Sequence, residues 1–230
     1  MQTLILLPGS LCDARVWQHQ MRDLAGIAHV VCPSLHGHDS LESMADAVLG
    51  DAPDSFALCG FSMGGRVALE IMRRAPGRIS RLALVDASVH PVAEGEAVRR
   101  QPQIDMARDQ GMVALARWWN PKIVHPSRTG DAALMGLLED MACTFTADDY
   151  AEEVHALLNR PDPRDVLPTV KVPTLVLAGS EDPLSTRDRN EAIAAAIGGA
   201  QLLLVEGAAH FPMLEQPGVV TAALREWLYA

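Results

Sequence analysis

Aromatic residues make up only 4% of the 230-residue chain, and no run of Lys or Arg is long enough to make a basic patch. With a formal net charge of −10, the chain gives nucleic acid or an anionic membrane little electrostatic support as a partner. The opening residues, MQTLILLPGS, lack a basic stretch, and their apolar run is too short for a signal peptide or a membrane span. The four cysteines, Cys12, Cys32, Cys59 and Cys143, have no C-x-x-C spacing. They are expected to be small buried hydrophobes in a reduced, cytoplasmic protein. Internal repeats and low-complexity segments are also missing. What remains is ordinary globular usage, 49% hydrophobic and 21% charged, enough for a sizeable core in one domain with a modest insertion. The acidity serves solubility and says little about substrate charge.

Short apolar runs recur between turn residues: 3–7 (TLILL), 28–32 (AHVVC), 55–59 (SFALC), 81–86 (RLALVD), 173–179 (PTLVLAG) and 201–206 (QLLLVE). Each is too short for a free-standing helix. Most are aliphatic throughout, as strands buried on both faces are. Helical patterns lie between them at 63–75 and 186–197, and a terminal one spans 217–229. This alternation predicts an α/β fold, a doubly wound and mostly parallel sheet with helices on both sides.

One interval breaks the rhythm. Residues 91–170 are far more than a crossover needs and carry helical patterns at 94–109, 111–119, 130–143 and 147–159. The expected organisation is a core of 1–90 and 171–230 with a helical cap, 91–170, over the sheet's C-terminal edge. Extra helical packing with no role in a site is the alternative.

Residues 55–70, SFALCGFSMGGRVALE, carry the most specific signal. Gly60-Phe61-Ser62-Met63-Gly64 is G-x-S-x-G at the join of an apolar strand and an amphipathic helix, the setting in which the pattern exposes a nucleophilic serine. The serine is expected to adopt strained backbone angles. A Cβ at Gly60 or Gly64 would collide with the turn or the neighbouring strand. The helix N-terminus turns free N–H groups towards developing negative charge.

A serine hydroxyl needs an adjacent base, itself oriented by a third group. Of eight histidines, His210 follows the last strand on a Gly/Ala loop before the final helix. His19 and His155 lie in helical stretches, His29 starts a strand, and His90 and His125 flank the insertion without an evident partner. His36 and His38 in PSLHGHDS could ligate a metal, but only Asp39 stands nearby as a further donor, and a structural or site-lining loop is the better reading. For the carboxylate, Asp182 in AGSEDPL follows the fifth strand, and Asp86 ends the fourth in LVDAS as a serious rival; Glu181 is less favourably placed. Asp182 is preferred because its strand precedes the His210 strand and is expected to lie beside it. The order Ser62, Asp182, His210 distinguishes this set from other serine–histidine–aspartate folds.

Four segments together resemble the α/β-hydrolase superfamily, specifically its small capped esterase-like members: LLPGSLCDARVW (6–17), PSLHGHDS (33–40), GFSMGG (60–65), and VPTLVLAGSEDPL with GAAHFPMLEQP (172–184 and 207–217). The resemblance covers nearly the whole chain outside 91–170. It implies an oxyanion hole from the backbone N–H of Met63 and that of Ser10 or Leu11, and a cap whose Trp118, Trp119, Met141 and Phe145 are candidates to line a substrate pocket. Three departures stand out. Pro8 replaces a frequent histidine, the GHDS segment is one residue short, and the usual leading hairpin has no counterpart, so about six strands are expected rather than eight. No metal or organic cofactor is implied.

The expected activity is hydrolysis of a small carboxylic ester through an acyl-enzyme. Thioester hydrolysis, acyl transfer, C–C hydrolysis or lyase chemistry on the same three residues are alternatives, as is a non-catalytic ligand-binding protein of this fold.

Overall fold

The computed structural model describes residues 1–230. Six strands form one sheet: β1 (Gln2–Leu7), β2 (Ala28–Val31), β3 (Phe56–Phe61), β4 (Ile79–Val85), β5 (Thr174–Gly179) and β6 (Gln201–Val205). Every pairing is parallel, in the order β2-β1-β3-β4-β5-β6. The predicted sheet of about six parallel strands is therefore observed. β3 continues to Phe61, beyond the run predicted to end at Cys59, so Ser62 follows the strand directly.

Ten α-helices accompany the sheet: α1 (Gln18–Leu24), α2 (Leu41–Asp51), α3 (Met63–Arg74), α4 (Glu96–Gln110), α5 (Met112–Trp119), α6 (Ala132–Ala142), α7 (Ala147–Leu158), α8 (Arg187–Ala196), α9 (Pro212–Glu215) and α10 (Pro217–Tyr229). Successive strand residues face opposite sides. Leu4 and Leu6 of β1 enter a layer with Leu24 of α1 and Leu224 of α10, whereas Ile5 and Leu7 meet Met44 of α2 and Val67 of α3. The strands need unbroken aliphatic runs because helices cover both faces. Side-chain oxygens of Ser40, Asp131 and Thr146 cap the N-termini of α2, α6 and α7.

The helices of residues 91–170 bury their apolar faces in different layers. Ile104, Leu115, Tyr150 and Val154 of α4, α5 and α7 make a small core of their own. Leu134, Leu138 and Met141 of α6 enter the same layer as α1 and α10 instead. Chain winding reverses between β1 and β3, and the carboxyl ends of these two strands open the crevice where such sheets bind ligands.

No helix is long and apolar enough to cross a membrane. All four cysteines are free; Cys12 and Cys59 are buried and Cys32 is half-buried. Cys143 departs from the expectation, because it caps the C-terminus of α6 and is exposed.

Candidate active site

Ser62 stands between β3 and α3 with φ 51° and ψ −113°, a positive-φ backbone unusual for a residue with a side chain. Neighbours on every side hold this strain. The Ser62 N–H donates to the Val85 carbonyl at 3.0 Å, and a Cβ at Gly60 would overlap the Gly64 carbonyl. A Cβ at Gly64 would run into the Pro8 and Leu7 carbonyls of the β1 end. The two flanking glycines thus allow the close approach their positions predicted.

Beyond the sheet's carboxyl edge, His210 Nε2 lies 3.0 Å from Ser62 Oγ, and His210 Nδ1 lies 2.8 Å from Asp182 Oδ2. Asp182 Oδ1 accepts the Leu184 N–H at 2.7 Å. Burial alone would raise the Asp182 carboxyl. The His210 charge, the His210 and Asp86 hydrogen bonds and the Leu184 amide outweigh it and hold the group at about 2. A hydroxyl, an imidazole and a carboxylate in this line can move a proton from the hydroxyl to the ring, with the resulting charge held by Asp182.

β4 and β5 are neighbours, so Asp86 and Asp182 end side by side. One ligand atom from each, with one from His210, lie within 4.8 Å of one another. Asp86 makes no hydrogen bond to the imidazole; its carboxyl accepts the Gly179 N–H at 3.0 Å. Burial, then the Asp182 charge, push the Asp86 carboxyl well above the usual carboxylate range.

Two buried carboxylates that sequence reading passed over brace the site. Glu215 Oε1 accepts the Ala209 and Phe211 N–H groups, both at 3.0 Å, on either side of His210. Its Oε2 accepts the His125 N–H at 2.7 Å, and the His210 N–H donates to the Ile123 carbonyl at 2.9 Å. Residues from the insertion therefore help fix the His210 loop. Glu153 of α7 accepts the Ser10 hydroxyl and the Leu11 N–H, the latter at 3.0 Å. Burial raises the Glu153 carboxyl to about 7 against these bonds. Glu215 showed in the sequence only as an acid in the apolar stretch FPMLEQP, and Glu153, in the acidic run DDYAEEV, had no signal at all. Gly179 was overlooked too: a Cβ there would collide with the Ala209 carbonyl, so only glycine lets the His210 loop close on β5.

The predicted oxyanion donors differ in availability. Met63 begins α3, where first-turn N–H groups have no intrahelical acceptor. The Ser10 N–H makes no hydrogen bond, whereas that of Leu11 is held by Glu153, with Leu11 at φ 55°.

Ser62 and His210 open on a cavity of about 530 Å³, lined also by Ser10, Leu11, Met63 and Trp119. The other three pocket candidates lie elsewhere. Met141 is fully buried in the core, because α6 turns that face to the α1/α10 layer. Phe145 packs on His36, ring centroids 5.0 Å apart, in a separate crevice. Trp118 is 40% exposed, stacked on Trp119 and covered by the Lys122 ammonium. His36 Nε2 pairs with Asp149 at 2.8 Å and ties the loop after β2 to α7. His125, which had no evident partner, meets Glu181 at 2.9 Å. His90 lines the cavity.

The alpha/beta hydrolase family model matches residues 4–224. The chain is 29% identical to a pimeloyl-[acyl-carrier protein] methyl ester esterase of Aromatoleum aromaticum, covering 93% of each chain. It is 26% identical to 3-oxoadipate enol-lactonase 2 of Acinetobacter baylyi, over 88% of this chain and 79% of that one. A thermophilic esterase from Thermogutta terrifontis, solved with malate bound, superposes with a TM-score of 0.91 at 28% identity, covering 100% of this chain and 90% of that one.

Proposed function

The chain belongs to the alpha/beta hydrolase family, and within it we propose a serine hydrolase that cleaves a small carboxylic ester or lactone through an acyl-enzyme. The observation that carries this reading is the continuous line from Ser62 Oγ to His210 Nε2 at 3.0 Å and from His210 Nδ1 to Asp182 at 2.8 Å. His210 takes the hydroxyl proton as Ser62 attacks the carbonyl, and Asp182 holds the ring in the required tautomer. The Met63 and Ser10 N–H groups receive the oxyanion, with Leu11 kept out of that role by Glu153. The alcohol leaves with the proton from His210, water attacks the acyl-Ser62 ester, and the acid is released. No step calls for a metal or organic cofactor.

Residues 91–170 act as the cap. Trp119, Asn120, Leu138 and Tyr150 from this segment line the cavity beside Ser62. Both kinds of relative, a methyl ester esterase and an enol-lactonase, bear names of enzymes that open a carbonyl–oxygen bond. That favours an oxygen ester over a thioester or a C–C bond.

Hydrolysis of p-nitrophenyl acetate, butyrate and octanoate by the wild type and by Ser62→Ala tests the proposal. Turnover that collapses in the variant supports it, and the chain-length profile sizes the cavity. Equal rates in both proteins, or no turnover of any ester, would remove it.

A further inference from the structure

The chain is acidic, yet Arg66, Arg99, Arg100, Arg160 and Arg189 all border the cavity beside Ser62. Two acids face them there, Glu96 and Asp86, and burial disfavours the charge of Asp86. Four of the arginines have partners of their own. Arg160 and Arg100 both pair with Glu96, and Arg160 also donates to the His90 and Pro91 carbonyls. Arg99 donates to the Glu94 carbonyl. Arg189, at the exposed rim, donates to the Leu184 carbonyl.

Arg66 is different. It is only 7% exposed, and no carboxylate pairs with it. Its Nη2 donates to Ser88 Oγ at 3.2 Å and to the His90 carbonyl at 3.1 Å, while its Nη1 is buried without a partner. His90 Nε2, beside it on the same wall, is likewise buried and unpartnered. A buried cation with an unused donor is costly unless something else satisfies it. Burial, followed by the Arg160 charge, pulls the Arg66 proton affinity down, as expected for a cation lacking its anion. Arg66 also lies one helical turn after Ser62 on α3, its N–H bonded to the Ser62 carbonyl at 3.4 Å. Both side chains border the same cavity.

From this arrangement we infer that Arg66, with His90 beside it, forms an anion seat that binds a carboxylate at the far end of the substrate's acyl chain. The substrate class is then a half-ester of a dicarboxylic acid, or a lactone bearing a carboxylate, its carbonyl at Ser62 and its free carboxylate on Arg66. Nη1 is the donor left over for a planar anion, and the rim arginines Arg99 and Arg189 draw such a substrate in. This inference rests on the ester-hydrolase reading for the position of the carbonyl, but the seat itself can be tested without turnover.

The test compares mono-p-nitrophenyl adipate with its neutral isostere p-nitrophenyl 6-oxoheptanoate. In the wild type, kcat/KM for the adipate is expected to exceed that for the isostere by about tenfold or more, the usual worth of a charge-assisted hydrogen bond. In Arg66→Met the ratio falls to about one, and Arg66→Lys restores part of it, since a lysine keeps the charge but loses the fork. Equal kcat/KM for the two esters in the wild type, or the same ratio in Arg66→Met, would overturn the anion seat while leaving ester hydrolysis intact. If no ester is turned over, the hydrolase reading falls, and the seat is read by calorimetry with glutarate. Binding to the wild type that is absent from Arg66→Met supports the seat, and no binding overturns it. Should Arg66→Met fail to fold, glutarate against the neutral glutaramide is tried on the wild type in the same cell. Glutarate alone binding supports the seat; equal binding, or tighter binding of inorganic phosphate than of glutarate, contradicts the carboxylate assignment.

Discussion

Replacing Glu215 by alanine should damage both folding and catalysis, because this one carboxylate holds the His210 loop from below. Glu215 is 2% exposed and accepts the Ala209, Phe211 and His125 N–H groups. Removing it orphans three donors, each costing about 1–3 kcal/mol if buried and unsatisfied. The loop adjoins the cavity, so water can reach some of them, and a net loss of about 3–5 kcal/mol is the working figure. At about 2–4 °C per kcal/mol for a chain of this size, Tm falls by roughly 10 °C. Catalysis suffers separately, since His210 sits between two of the three anchored residues and a displacement of about 1 Å costs roughly 100-fold in rate. Glu215→Gln discriminates the causes. Its carbonyl oxygen still serves Ala209 and Phe211, while its NH₂ opposes the His125 N–H. It should lose about 2 kcal/mol and keep most of the rate. Calorimetry and p-nitrophenyl butyrate kinetics on the three proteins provide the assay. A Glu215→Ala protein with Tm within about 2 °C of wild type and an unchanged kcat would refute the reasoning.

The remaining predictions concern the other carboxyls. Asp182→Asn should lower kcat by about 10³–10⁴-fold through loss of the useful His210 tautomer. Asp86→Asn, the neutral isostere of a group whose charge burial disfavours, should lower it by less than about tenfold; near-equal losses would show the roles of the two to be wrongly divided. Glu153 titrates at 4.5 when unfolded and at about 7 when folded, because burial disfavours its charge. Between those values the folded chain holds the extra proton, so the wild type loses stability as pH rises, by up to about 3 kcal/mol. Denaturant titrations of Glu153→Gln and wild type at pH 4, 6 and 8 should therefore diverge in favour of the variant as pH rises; parallel curves would refute this. Gly179→Ala should not accumulate as folded protein, and a soluble variant with wild-type Tm would mean the close approach to Ala209 is avoidable.

The sheet and the serine turn were legible because their signals are local. Aliphatic runs such as LALV and TLVL mark strands covered on both faces, and the Gly60 and Gly64 spacing states a steric need within a few residues. The preference for Asp182 over Asp86 had a weaker basis. Strand adjacency does put β5 beside β6, but β4 is equally β5's neighbour, so adjacency leaves both acids near His210. What separates them is the Gly179 N–H, which claims one carboxyl and leaves the other for the imidazole. Glu153 was illegible because it serves groups more than a hundred positions away, and Glu215 because its bonds to the nearby Ala209 and Phe211 N–H groups depend on how the His210 loop folds, with His125 reached only through tertiary folding. Three of the pocket candidates, Trp118, Met141 and Phe145, misled for a similar reason. Helical spacing puts Met141 on an apolar face, but whether that face meets a cavity or the core depends on how α6 docks. Arg66 read simply as part of an amphipathic helix, since nothing local shows that no acid comes to meet it.

The most direct test of the central claim is mass spectrometry of the protein quenched during turnover of a slowly deacylating ester such as p-nitrophenyl pivalate. The account predicts a burst of nitrophenolate equal to the enzyme present and one acyl group on the peptide containing Ser62, with neither in Ser62→Ala. Steady turnover without an adduct, or an acyl group on any other side chain, would contradict it.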